Sequence, residues 1–241
     1  MIDNKGVLKS IERGLIVSCQ ALEDEPLHDS FIMAKMAYAA KEGGAKGIRA
    51  NSVEDIIEIK KLVELPVIGI IKKVYGSNPV FITPTEQEVD QLMLAGPEII
   101  ALDATNRLRP DGKTLDEFFN RIRKKYKDVL FMADCSCIED ARHAQSLGFD
   151  LAGTTLCGYT EETKHIPIPN YSLIQQMTEE LTIPVIAEGG VWESEQLKKV
   201  FSYQVHAAVV GTAITRPREI TKRFVAAIVE EAEACEKKEL G

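Results

Sequence analysis

The stretch Leu65-Pro66-Val67-Ile68-Gly69-Ile70-Ile71-Lys72 decides how the chain reads. Its apolar run lacks polar alternation, so both faces of an extended segment are buried, as in a parallel strand covered by helices. It then ends on a charge. Ile183-Pro184-Val185-Ile186-Ala187-Glu188 repeats the pattern, with proline at the entry and a charge at the exit. Outward from these two, short apolar runs recur at spacings of roughly 20–35 residues. They cover 15–19, 47–50, 67–71, 99–103, 129–133, 151–155, 185–187 and 207–210. Helical periodicity fills the gaps, at 29–41, 52–62, 85–95, 114–127, 138–146, 171–180, 194–201 and 216–234. Ser52 with Asp55 reads as an acidic form of a capping box, and Gly43-Gly44 as a helix end.

Eight strand-then-helix units in 241 residues is the arithmetic of an α/β protein built as a (β/α)8 barrel, one domain over residues 1–241. A doubly wound open sheet is the rival, but no GxGxxG follows the first strand. In a closed barrel the third and seventh strands stand opposite each other.

Composition excludes several classes. Hydrophobic residues are 45% and charged residues 27% of the chain, ordinary for a globular protein. A net charge of −8 without a basic block disfavours nucleic acid and anionic membrane as partners. No apolar run approaches a membrane span. The opening MIDNKGVLKS has neither a long apolar core nor a small-residue cleavage site, so no secretory signal is expected. Five scattered cysteines, Cys19, Cys135, Cys137, Cys157 and Cys235, predict reduced thiols and a cytoplasmic location. His28, His143, His165 and His206 form no ligand pair, and Cys135-Ser136-Cys137 is not a CxxC motif, so no metal is expected. Trp192 reads as a packing or loop residue. The charged stretch EEAEACEKKELG reads as a solvated end of the last helix.

A barrel of this kind works at the C-terminal ends of its strands. Gln20, Arg49, Lys72, Asp103, Asp134, Thr154, Thr155 and Glu188 all fall there. Any one of them alone is as well read as a helix cap or a loop salt bridge. Period-two alternation puts Ile68, Ile70 and Lys72 on one face of the third strand, and Ile186 with Glu188 on one face of the seventh. With those faces inward, Lys72 and Glu188 meet across the barrel mouth. An amine and a carboxyl on opposite sides of a substrate can invert a carbon centre by proton transfer. A plain Lys–Glu ion pair is the bland alternative, and it would raise the lysine pKa. Nearby Arg49, or desolvation, would lower it. Gly189-Gly190 after the seventh strand, and Gly211-Thr212 with Arg216 after the eighth, read by their place as a phosphate cradle, with an ordinary strand-to-helix turn as the alternative.

These residues resemble a known family. Ile16 to Leu22, Asp24 to His28, Gly47 to Ala50, Ile68 to Lys72, Ala101 to Ala104 and Met132 to Asp134 are similar to N-acetylmannosamine-6-phosphate 2-epimerases. So are Gly153 to Thr155, Gly158 to Thr160, Ile186 to Gly189 and Val209 to Pro217. The resemblance implies a barrel that interconverts N-acetylmannosamine 6-phosphate and N-acetylglucosamine 6-phosphate, in sialic acid and N-acetylmannosamine breakdown. It implies Lys72 and Glu188 as catalytic residues. Gln20, Arg49, Asp134 and Thr155 would contact substrate, and Gly189, Gly190, Gly211, Thr212 and Arg216 the phosphate. It implies no cofactor and a homodimer. Thr212 and Gly190 depart from the family's common serine and larger, often basic residue, while keeping the backbone donors.

Two other readings fit the same scaffold. One is a sugar-phosphate aldolase or lyase with Lys72 as Schiff-base nucleophile. The other is a non-catalytic sugar-phosphate sensor. The last helix carries Ile220, Phe224 and Ile228, an apolar face that serves either the barrel or a dimer.

Overall fold

The computed structural model describes residues 4–239, with side chains described up to residue 230. Cys235 and nearly all of the charged C-terminal stretch therefore lie outside the described side chains. Eight strands close into a barrel in chain order. They are β1 (Gly14–Cys19), β2 (Gly47–Asn51), β3 (Val67–Ile70), β4 (Ile99–Asp103), β5 (Leu130–Asp134), β6 (Leu151–Gly153), β7 (Val185–Glu188) and β8 (Ala207–Val210). Every neighbouring pair is parallel, and β8 returns to β1. The helices are α1 (Asn4–Ile11), α2 (Ser30–Glu42), α3 (Val53–Leu62), α4 (Glu86–Ala95) and α5 (Leu115–Lys125). After them come α6 (Ile138–Leu147), α7 (Tyr171–Glu180), α8 (Ser194–Ser202), the short α9 (Thr212–Thr215) and α10 (Pro217–Glu239).

Local chemistry explains where the helices begin. Asp29 caps α2 by accepting from the N–H groups of Phe31 and Ile32. Thr85 with Glu88, and Thr114 with Glu117, form reciprocal capping boxes at α4 and α5. At α3 only half of the expected box forms. Ser52 Oγ accepts from Asp55 N–H at 3.1 Å, but the Asp55 carboxylate accepts from Ser30 Oγ at 2.6 Å instead. The shorter side chain ties α3 to α2 rather than to its own cap.

Register settles which way the side chains point. Ser18 lies beside Arg49, Arg49 beside Ile68, and Ile68 beside Ile99. Ile16, Ile70, Met132, Leu151, Ile186 and Val209 belong to one buried cluster, which fills the barrel. The opposite faces, such as Ile48, Val67, Phe131 and Val185, pack under the helices in a second, larger cluster. Burying each such side chain is worth about 1.5–3 kcal/mol. Helix α1, which the periodicity did not reveal, seals the lower end with Ile11, Val7 and Leu8. It is held by His206 Nε2 against Leu8 O at 2.9 Å.

Three boundaries differ from expectation for visible reasons. β6 stops at Gly153 because the Thr154 hydroxyl, not its backbone alone, pairs with Glu188, donating to its carbonyl and accepting from its N–H. β3 stops at Ile70 because Ile71 N–H turns to Thr83 Oγ1, and Lys72 bridges antiparallel to Ile82. The last helix is preceded by the separate turn α9. From residue 221 to 230 α10 is exposed all round, including Phe224 at 71% and Ile228 at 71%. Those two side chains do not pack on the barrel, while Ile220 is half-buried.

Candidate active site

A cavity of about 720 Å³ opens at the C-terminal ends of the strands. Gln20, Arg49, Lys72, Thr155, Glu188, Gly189, Gly190, Gly211, Thr212 and Arg216, all sequence candidates, line it together. A sugar phosphate fits that volume comfortably.

Arg49 is the hub. Its guanidinium is buried and pairs bidentately with Asp134, at 2.6 and 3.1 Å. Its Nη1 also lies 3.1 Å from Glu188 Oε2. Thr155 Oγ1 donates to Asp134 Oδ1 at 2.6 Å, with Glu188 Oε2 at 3.2 Å. Gly153 makes this possible, because its face turns inward beside Asp134. A Cβ there would sit 2.3 Å from Met132 Cε and 3.1 Å from Thr155 Oγ1. Burial pushes the Glu188 pKa above its ordinary value, Arg49 opposes that, and Asp134 adds to it. The Arg49 pKa, despite burial, is held up by Asp134 and Glu188. Gln20 Nε2 donates to Ser18 Oγ at 2.7 Å, and its buried Oε1 has no hydrogen-bond partner among the described residues.

Lys72 stands apart from this network. Its backbone N–H donates to Asn51 Oδ1 at 2.7 Å, which fixes the end of β3. Among the described residues its amine forms no ion pair. Burial lowers its pKa to about 8, with Arg49 and Arg216 pushing the same way and Glu188 and Glu25 opposing. The bland Lys–Glu ion pair is therefore absent, because Glu188 turns to Arg49.

The loop after β7 packs tightly on the loop after β6. Gly190 has φ +74°, and a Cβ would meet the Ile168 carbonyl carbon at 2.5 Å. Only glycine allows the two loops to interlock there. Gly211 caps α9, its carbonyl accepting from the N–H groups of Ile214 at 2.8 Å and Thr215 at 3.0 Å, with no side chain capping the turn. Arg216 follows, its Nη2 2.7 Å from Glu25 Oε2.

Not every strand-end residue reaches the cavity. Asp134 is fully buried behind Arg49 and Thr155 and does not line it. Asp103 is fully buried in ion pairs with Arg107 at 2.7 Å and Arg109 at 3.5 Å, so it belongs to the scaffold. Thr154 is spent on β7. Conversely, Trp192 lines the cavity rather than merely packing, and Ser18, Phe81, Tyr159, Glu219 and Arg223 join it. Ser18 could have been found from parity with Gln20. The others sit on loops or on α10, where no periodicity points inward.

A family model described as "Putative N-acetylmannosamine-6-phosphate epimerase" matches residues 33–230. A "Putative N-acetylmannosamine-6-phosphate 2-epimerase" of Caldanaerobacter subterraneus subsp. tengcongensis is 53% identical over 224 residues, 93% of this chain and 94% of that one. One of the same description from Clostridioides difficile is 54% identical, covering 92% of this chain and 99% of that one. The solved N-acetylmannosamine-6-phosphate 2-epimerase of Clostridium perfringens superposes with a TM-score of 0.87 at 48% identity, over 91% of this chain and 95% of that one. A thiamine phosphate pyrophosphorylase of Pyrococcus furiosus, at 17% identity and a TM-score of 0.62, shares the fold alone. Family model, relatives and structure converge: the chain belongs to the N-acetylmannosamine-6-phosphate 2-epimerase family.

Proposed function

We propose that the chain interconverts N-acetylmannosamine 6-phosphate and N-acetylglucosamine 6-phosphate by moving a proton at C2. Lys72 carries the proposal: an amine without an ion pair among the described residues, its pKa lowered to about 8, on the same cavity as a Glu188 whose pKa is raised. In the open-chain sugar the C1 aldehyde acidifies the C2 hydrogen. Lys72, as neutral amine, removes it and leaves an enolate. Arg49 faces the negative charge that develops on O1. Glu188 returns a proton to the opposite face, directly or through a substrate hydroxyl. The reverse reaction swaps the two roles. One C–H bond breaks and one forms, and no electrons are gained or lost.

Gln20 and Thr155 orient the acetamido and hydroxyl groups. Asp134 acts one step back, by holding Arg49 and Thr155 in place. Gly189, Gly190, Gly211, Thr212 and Arg216 receive the phosphate. The relatives' names favour this reading over a Schiff-base lyase, and the family sets it in N-acetylmannosamine and sialic acid breakdown. A homodimer joined through α10 and a cytoplasmic setting complete the proposal. The exposed apolar face of α10 and the free thiols of Cys19, Cys135, Cys137 and Cys157 support these two points. Among the described residues no helix is long and apolar enough to cross a membrane. The test is purified protein with N-acetylmannosamine 6-phosphate, followed by proton NMR. Appearance of the gluco epimer supports the proposal. A folded protein that leaves the substrate unchanged sinks it.

A further inference from the structure

The outer wall of the cavity carries a cation that the reaction above does not use. Arg223 lies two helical turns beyond Arg216, and both line the cavity with Glu219. The Arg223 guanidinium sits 4.9 Å from the centroid of the Trp192 indole, itself a lining residue. Its Nη2 is 2.7 Å from Glu193 Oε1.

The charges around the cradle are unevenly committed. Arg216 pairs with Glu25, whose side chain is only 7% exposed. Glu25 also accepts from Leu22 N–H and pairs with Arg218, so it is anchored three ways. Glu219 pairs with Arg218 and Lys222, and brings negative charge to the wall. A phosphate dianion in the glycine cradle therefore meets one arginine already neutralised, and two carboxylates nearby. The Arg223–Glu193 pair differs. Its side chains are 49% and 61% exposed, so water screens it and it opens easily. The indole gives the guanidinium a flat platform while its hydrogen-bonding edge is free to change partner.

We infer that Arg223 is a phosphate-binding residue of this chain: resting on Trp192, it exchanges Glu193 for the substrate phosphate and closes the outer wall of the cradle. Substrate binding is thereby tied to the last helix. The inference rests on the proposed function, since it presumes a phosphate in the cradle.

The experiment measures competitive inhibition by inorganic phosphate alongside KM for N-acetylmannosamine 6-phosphate, with thermal melts to confirm folding. Arg223→Gln raises both constants about tenfold, with a smaller effect on kcat, as expected for loss of one charge-assisted contact. Glu193→Gln keeps an acceptor at the start of α8 but removes the competing charge, so it lowers both constants. The opposite signs are the signature. A purely structural ion pair makes both variants bind phosphate equally or worse together, which would overturn the inference. Wild-type protein inhibited by phosphate, with Arg223→Gln unchanged, overturns this inference alone. Wild-type protein that neither responds to phosphate nor turns over overturns the proposed function with it.

Discussion

In the proposed reaction Lys72 and Glu188 act as a pair that shares one proton across the cavity. Burial lowers the first to about 8 and raises the second above its ordinary 4.5. The active form holds a single proton, on either member, and titrates as a unit. Below the acid limb both groups are protonated and no base exists. Above the alkaline limb both are bare and no proton can be returned. We therefore expect a bell-shaped pH profile of kcat/KM, with an acid limb above 4.5 and an alkaline limb near about 8. A profile that keeps rising through pH 10 would contradict the shared proton. Asp134 has a different consequence. Asp134→Asn removes the bidentate partner of the buried Arg49 guanidinium and leaves it Glu188 alone, and breaking a buried pair typically costs about 3–5 kcal/mol. A marked fall in melting temperature and in kcat/KM is expected together; unchanged melting would contradict the hub. The strand-end positions of these residues were legible from alternation alone. That Asp134 hides behind Arg49 was not, because the contact joins β2 to β5 and exists only once the barrel closes.

At the scale of elements, the loop after β7 is shaped by its tight approach to the loop after β6. Gly190→Ala places a Cβ 2.5 Å from the Ile168 carbonyl carbon, at a φ of +74°. Strain of about 1–3 kcal/mol is expected. It shows as a higher KM for the sugar phosphate and a lower melting temperature. Wild-type values for both would contradict the interlock. The strands and the long helices could be read from period and caps, to within a residue or two at most ends. α1 could not, being eight residues long and preceding any strand. α9 is four residues long and offers no period at all. The early end of β6 depends on a threonine hydroxyl replacing a ladder bond, which composition does not reveal. Asp55 likewise had two possible partners in the sequence and chose Ser30 through the packing of α2 on α3.

At the scale of the whole molecule, a chain of net charge −8 gathers Arg49, Lys72, Arg216 and Arg223 around one cavity. Most of these cations are paired with carboxylates, Arg49 with Asp134 and Glu188, Arg216 with Glu25 and Arg223 with Glu193, so an anionic substrate must exchange partners to bind within an acidic protein. The barrel was legible because eight apolar runs and their intervening helices leave few other closed arrangements. The place of the last helix was not, since its apolar face suits the barrel or a second copy equally. In the structure Phe224 and Ile228 face outward, 71% exposed each. Light scattering is expected to give twice the chain mass. Phe224→Glu with Ile228→Glu is expected to give the single-chain mass while the barrel stays folded. A wild-type protein that is monomeric at every concentration would contradict the dimer.

The most direct test of the central claim is deuterium incorporation at C2, measured by proton NMR in D2O for wild type, Lys72→Met and Glu188→Gln. The account predicts epimer formation with deuterium at C2 in the wild type. It predicts turnover reduced by at least about 10²–10⁴-fold in both variants, the usual contribution of a positioned acid or base. Lys72→Met protein that epimerises at the wild-type rate would contradict it.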